Sequence, residues 1–277
     1  MTTTQFIAEA LREDVGTGDH SSLSCVPNNT VNKAKLLVKD HGVLAGVNVA
    51  LEVFKQVDDQ LQIEVIMHDG DTVKYGDIAL YVSGSAQSIL KAERLVLNIM
   101  QRMSGIATRT QHFVQLVKGT NCKLLDTRKT TPNMRLLEKQ AVLIGGGHNH
   151  RFGLYDMIML KDNHVDYAGG IANAITKANA YIASNNLELA IEIETRNLNE
   201  VQQVLAVGNV QRIMLDNFTP AQITEALALI NKRYETEASG GITEETIAAY
   251  AATGVDYISV GALTHSIKSL DLSLKAV

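Results

Sequence analysis

Short apolar runs, each ending on a polar or small residue, recur through the second half of the chain. Residues 123–125 stop at Asp126, 157–160 at Lys161, 190–193 at Glu194, 213–215 at Asp216, 234–238 at Ser239 and 257–260 at Gly261. Helically spaced segments lie between them, at 133–144, 166–184, 197–206, 219–231 and 243–252. A strand-length run followed by a helical segment, repeated, predicts βα units and a parallel sheet. A closed eight-stranded barrel takes about 250 residues. The six runs therefore predict an open barrel of six or seven strands. Ligands bind such folds at the C-terminal ends of the strands. Asp126, Lys161, Glu194, Asp216, Ser239 and Gly261 are the residues at those ends.

The first part of the chain has another rhythm. Residues 6–13 are amphipathic over a short helix, and EDVGTGDHSS after them reads as a turn with Asp19 or Ser21 as a cap; no apolar strand precedes it, which argues against a phosphate loop. Residues 31–40, 61–67 and 71–82 are strand-like, and 48–57 is helical. HDGDTVKYGDIALYVSG has a look of lipoyl- or biotinyl-carrier domains, but no lysine sits in a carrier-type turn, so it is read as structural. Residues 85–103 form a long helix with Ile89, Val96, Ile99, Met100 and Met103 as its apolar stripe. Lys91, Arg94, Asn98 and Gln101 fall on another face, either solvated or contacting a second subunit. Ser104-Gly105 reads as a break before a further helix at 107–118. Strands and helices without strict alternation predict an α+β unit.

Composition narrows the function. The chain of 277 residues has 45% hydrophobic content, no tryptophan and a formal charge of −5. Few aromatics and an acidic balance argue against nucleic acid. Cys25 and Cys122 are too few and too far apart for a disulfide framework or a C-x-x-C site. Residues 1–14 lack the basic and apolar regions of a signal peptide, and no run of about 18 apolar residues exists. The expectation is a reduced, cytoplasmic protein with no membrane partner.

Against that acidic background, residues 126–164 are locally basic, with six Lys/Arg against four Asp/Glu and three of the eight histidines. The cations Arg128, Lys129, Arg151 and Lys161 come from separate segments, which suits convergence on a small ligand with several negative groups. Arginine's fork matches carboxylate or phosphate. Gly240 and Gly241 follow one strand and precede a helix starting near Thr243, and Gly261 follows the last strand. Glycines there let backbone N–H groups approach a phosphate, or simply serve tight turns. Glu194 and Asp216 end neighbouring strands and could hold ribose hydroxyls and magnesium, or pair with Lys161 or Arg128. The histidines show no zinc pattern.

DTRKTTPNMR, GGGHNHRFGLYDMIMLKDNH, IEIET, IMLDNF, EASGG and DYISVGALTHS, in that order, resemble the quinolinate phosphoribosyltransferases. The resemblance runs nearly end to end and includes REDVGTGDHSS and ERLVLNIMQRMSGIAT. It implies the type II phosphoribosyltransferase fold: an N-terminal α/β sandwich at 1–106, an open TIM-like α/β barrel at 107–266, and an end, 267–277, that packs back on the first domain. The implied reaction transfers phosphoribosyl from 5-phosphoribosyl-1-pyrophosphate to quinolinate with loss of CO2, giving nicotinate mononucleotide for NAD biosynthesis. The family is homodimeric at minimum.

By the same resemblance, Arg128, His150, Arg151 and Lys161 surround the quinolinate carboxylates and Lys129 lies near the reacting centre. Arg94 enters from the partner subunit. Glu194 and Asp216 face ribose and magnesium, partly through water. Ser239, Gly240, Gly241 and Gly261 cradle the 5-phosphate. Asn133 stands where glycine is common, and asparagine also tolerates a left-handed turn; Ala238 stands where serine is also common. Three other readings stay open: a related transferase for another ring acid, a barrel aldolase with Lys161 as Schiff base, and a phosphate-ligand sensor without catalysis.

Overall fold

A computed structural model describes residues 2–277. It divides into two compact units. The first takes the chain up to Gln111, Lys129–Gly146 and Ala262–Val277; the second takes His112–Arg128 and Gly147–Gly261. The division is less simple than one boundary after residue 106, because Lys129–Gly146 leaves the barrel sequence to pack in the first unit.

The chain begins with α1 (Thr3–Val15), α2 (His20–Cys25), β1 (Val31–Val38), β2 (Gly42–Val43), α3 (Val47–Val57), β3 (Gln62–Val65), β4 (Thr72–Val73), β5 (Ile78–Ser85) and α4 (Ala86–Leu116). Asp19 caps α2 by accepting the Ser22 N–H at 3.1 Å. The run at 71–82 is interrupted by a turn, where the Asp77 carboxylate accepts the Lys74 N–H at 2.8 Å and Gly76 sits at φ 94°. The chain's end supplies β12 (Leu272–Ala276), which pairs antiparallel with β1. The resulting sheet has the order β12-β1-β5-β3. Ala34, Leu36 and Val38 alternate into its buried face, as a half-buried strand requires.

The expected break at Ser104-Gly105 does not occur; α4 runs straight through it. A glycine in a helix costs about 1 kcal/mol against alanine, and here close packing demands it. A Cβ at Gly105 would lie 2.4 Å from the Lys268 carbonyl oxygen. The Ser104 hydroxyl is buried and satisfied, accepting the Ala45 N–H at 2.9 Å and donating to the Ala45 carbonyl at 3.1 Å. Small and polar residues that read locally as punctuation are contact residues of a continuous helix.

The remaining elements are β6 (Lys123–Leu125), α5 (Arg135–Ile144), β7 (Ile158–Leu160), α6 (Asp162–Ala168), α7 (Ile171–Ser184), β8 (Ile191–Thr195), α8 (Leu198–Val207), β9 (Arg212–Asp216), α9 (Pro220–Ile230), β10 (Glu235–Ser239), α10 (Ile247–Ala251), β11 (Tyr257–Ser259) and α11 (Ala262–His265). All six expected strands are present and parallel, in the order β6-β11-β10-β9-β8-β7. The sheet is therefore unclosed between β6 and β7. Leu125 and His148 form one further parallel bridge on the outer side of β6, a rudimentary seventh position. The helix expected at 166–184 is split by Gly169 and Gly170, at φ 88° and 111°.

Candidate active site

β8 is buried along its whole length, yet it carries two glutamates two residues apart, Glu192 and Glu194. Period-two alternation puts both on one face of the sheet. In register with them stand Arg212 and Met214 of β9, and Glu235, Glu237 and Ser239 of β10 follow the same alternation. The inner face is thus polar in layers that climb towards the strands' C-terminal ends.

The middle layer is a closed charge cluster. Glu192 and Glu237 are fully buried. Nε2 of His150 lies 3.0 Å from Glu192 Oε2 and 3.2 Å from Glu237 Oε2. Arg212 Nη1 donates to Glu237 Oε2 at 3.2 Å and stands 4.0 Å from Glu192 Oε2. The Arg151 amide donates to His150 Nδ1 at 2.6 Å, so the ring's proton sits on Nε2. Burial resists protonation of the His150 ring while both carboxylates pull its pKa upward. Those carboxylates outweigh burial and raise the His150 pKa to about 9, while burial and the charge of Glu237 push the Glu192 pKa up to about 7. Burial also works to raise Glu237, but His150, Ser259 and Arg212 outweigh it and hold that carboxyl below its usual value. Sequence reasoning passed over Glu192, Glu237 and Arg212. Their signal was the alternation of carboxylates within IEIET and ETEAS, since a charge in a buried strand requires a partner.

Above this layer, at the strand ends, the expected residues assemble. Asp126 is fully buried and accepts the His150 N–H at 2.8 Å, tying the loop after β6 to the HNHR segment. Lys161 follows β7; its Nζ is 3.3 Å from Glu194 Oε2 and its side chain is half exposed. The KDNH turn is set by the Lys161 N–H, which donates to His164 Nδ1 at 3.0 Å. Asp216 ends β9 and accepts from the Asn217 side-chain amide at 2.6 Å. Ser239 ends β10 and its hydroxyl accepts from Ser259 at 3.2 Å.

Gly240, at φ 93°, packs so closely on Asn217 that a Cβ would sit 2.3 Å from Asn217 Oδ1, whereas the space at Gly241 is open. The helix expected near Thr243 begins only at Ile247 and has five residues. A phosphate cradle there rests on the glycine backbone and not on a helix end. Gly261 closes the unit after β11.

Arg128 and Arg151 carry the clearest electrostatic signature. Burial and the charge of Arg128 both lower the Arg151 pKa. Nε of Arg128 is buried and meets no hydrogen-bond partner among the described residues. Arg151 is anchored by Nη1, which donates to the Met157 carbonyl at 3.2 Å. Its loop is wound around Asp156, whose carboxylate accepts the Phe152 and Gly153 amides at 2.6 and 2.8 Å. Burial raises the Asp156 pKa, and these amides more than reverse it. The charge of Arg128 bearing on Arg151, together with a buried donor unmatched, would suit an anion there.

Arg94 and Lys129 belong to the other unit, where both side chains are exposed. Arg94 lies on α4 away from the buried Val96, Ile99, Met100 and Met103.

Two places merit testing as metal sites. Ligand atoms of His150, Glu192 and Glu237 lie within 4.8 Å of one another. Arg212 already neutralises that cluster, and a divalent ion would face its guanidinium. Glu194 and Asp216, at the ends of adjacent strands, offer the hard oxygen donors that magnesium selects.

Both parts of the chain match known proteins. Residues 106–275 match the family model described as quinolinate phosphoribosyl transferase, C-terminal domain, and residues 19–104 match its N-terminal domain. The chain is 47% identical to the chloroplastic nicotinate-nucleotide pyrophosphorylase [carboxylating] of Arabidopsis thaliana, covering 96% of this chain and 80% of the relative. It is 43% identical to the probable nicotinate-nucleotide pyrophosphorylase [carboxylating] of Bacillus subtilis, covering 95% and 89%. Among solved structures, NadC from Streptococcus pyogenes superposes with a TM-score of 0.93 at 41% identity, covering 100% of this chain and 99% of that one.

Proposed function

This chain belongs to the quinolinate phosphoribosyltransferase family, and from that membership we propose how its residues perform the family's reaction. The reaction joins quinolinate to the phosphoribosyl group of 5-phosphoribosyl-1-pyrophosphate and releases pyrophosphate and CO2. Its product, nicotinate mononucleotide, feeds NAD biosynthesis. The observation that carries our assignment of the site is the pair Arg128 and Arg151, the charge of one bearing on the other, with a buried Arg128 Nε unmatched. A dianionic ring acid supplies the missing charge.

Arg128, Arg151 and Lys161 receive the two carboxylates, and His150 holds the Arg151 backbone through Nδ1. Lys129 stands near the reacting centre. The ring nitrogen then attacks C1 of the sugar as pyrophosphate leaves. Negative charge grows on the leaving group, and fixed cations stabilise it at no reorganisation cost. The nitrogen becomes a permanent cation, so the electrons of the breaking C2–carboxylate bond flow into the ring, and C2 takes up a proton. No organic electron sink or protein nucleophile is required; positioning and electrostatics are the protein's part.

Ser239, Gly240, Gly241 and Gly261 are assigned to the 5-phosphate, supported by the open space at Gly241. Glu194 and Asp216 are assigned to the ribose hydroxyls and to magnesium, partly through water. When bound, the ion neutralises pyrophosphate oxygens. We place the enzyme in the cytoplasm, a reading that its two free cysteines suit. No helix among the described residues is long and apolar enough to cross a membrane. Incubated with both substrates and magnesium, the protein should yield nicotinate mononucleotide; no product would remove the assignment.

Arg94 is assigned to the site of a second copy in a homodimer. The support is its exposed position on α4, opposite the helix's buried stripe. Arg94→Ala and Lys161→Ala are each expected to be inactive. After dissociation and reassociation together, about half the dimers are mixed, and each mixed dimer has one intact site. About a quarter of wild-type activity should return. Activity that stays at the level of the separate variants, although subunits exchange, would mean that Arg94 acts within its own chain or is structural.

A further inference from the structure

Lys129, Thr130 and Thr131 follow β6 and carry one of the cations assigned to the reaction. No helix or strand includes them, yet side chains from elsewhere in the first unit hold every one of these residues. The buried Thr264 hydroxyl donates to the Lys129 carbonyl at 2.8 Å. Arg135 Nε donates to the Thr130 hydroxyl at 3.0 Å. The Thr131 amide donates to Glu138 Oε2 at 3.2 Å, and the Thr131 hydroxyl accepts from Arg102 Nη2 at 2.9 Å.

Arg102 and Glu138 are themselves joined. Arg102 Nε donates to Glu138 Oε1 at 2.7 Å, and Arg102 Nη2 also reaches the Thr264 carbonyl at 3.2 Å. Glu138 is fully buried on α5 and Arg102 is mostly buried on α4. A charged pair is expensive to bury and is often no more stabilising than apolar residues of equal volume. What this one does that apolar residues could not is bind a loop by its amide, its hydroxyl and, through Thr264, a carbonyl. Arg102 is the hub, touching Glu138, Thr131 and Thr264 at once.

We propose that Arg102, Glu138 and Thr264 are positioning residues that lock the backbone of residues 129–131 and so hold Lys129 ready for the transfer step. A cation on a loose loop must be ordered when charge develops, whereas a clamped one is already in place. Loss of the clamp therefore falls on kcat more than on KM. The proposal rests on the transferase reading for its kinetic consequence; the loop geometry does not depend on it.

The test compares Thr264→Val, which removes the hydroxyl at constant shape, with Thr264→Ser, which keeps it, and Arg102→Lys, which keeps charge but not the fork. Thr264→Val and Arg102→Lys should lower kcat by roughly 10- to 100-fold, with KM for either substrate changed by less than about threefold. Thr264→Ser should recover most of the loss. Hydrogen exchange of the Thr131 amide should quicken at least about tenfold in Arg102→Lys. Wild-type kcat in both variants would overturn the clamp. So would losses that follow the unfolded fraction, or that appear in KM alone. If the wild-type chain itself gives no product, the transferase reading falls, and unchanged Thr131 exchange would separately overturn the clamp.

Discussion

Replacing Glu237 by alanine is expected to destabilise the protein by about 3–5 kcal/mol, the usual cost of breaking a buried ion pair from one side. Glu237 has no exposed surface and shares its carboxylate between His150, 3.2 Å away, and Arg212, also 3.2 Å away. Its removal leaves Arg212 with the exposed Glu235 and with Glu192 at 4.0 Å, and takes from His150 one of its two carboxylates. The buried donors of Arg212 and His150 then lose their 3.2 Å partner in a medium that solvates them poorly. Glu237→Gln keeps the volume and one acceptor and should cost less. Denaturant unfolding measures both; a change below about 1 kcal/mol for alanine would mean that water reaches the cluster and the layer is not closed.

Arg151→Lys is expected to be the more damaging to catalysis although it conserves charge. Arg151 has two tasks, donating to the Met157 carbonyl at 3.2 Å and presenting the rest of its fork beside Arg128. An ammonium cannot do both, because its three donors radiate from one atom. Losing one charge-assisted hydrogen bond of about 1.5–3 kcal/mol lowers kcat/KM by at least about tenfold, and losing the paired geometry adds to that. Steady-state kinetics with varied quinolinate decides it. Near-normal kcat/KM would make Arg151 a general positive charge and would remove the bidentate role.

Much of the barrel unit was legible because buried parallel strands leave a plain trace, an apolar run that stops where the mouth begins. That rule placed Lys161, Glu194, Asp216 and Ser239 at strand ends, and each lies within one residue of the end of β7, β8, β9 or β10. Asp126 obeyed the rule for a different reason: its carboxylate faces inward to the His150 amide and binds two loops together. Features set by distant chain were not legible. Ser104 and Gly105 look like punctuation until Ala45 and Lys268 are packed against them. The assignment of Lys129–Gly146 to the first unit depends on Arg102 and Thr264, far away in sequence. Glu192 and Glu237 were hidden because a glutamate in a short run reads as polar relief, and only the folded distances of 3.0 and 3.2 Å show two of them aimed at one histidine. β12 is short and follows a turn-rich segment, so its partner, β1, is what identifies it as a strand.

The order of bond-breaking is the central chemical claim, and labelled CO2 reports on it directly. Quinolinate carrying label in its 2-carboxylate, incubated with the protein and magnesium, should keep that label indefinitely while the sugar donor is absent. Adding 5-phosphoribosyl-1-pyrophosphate should release one labelled CO2 for each nicotinate mononucleotide and each pyrophosphate formed. Release without the donor, or a ribosylated product that retains both carboxylates, would contradict the account.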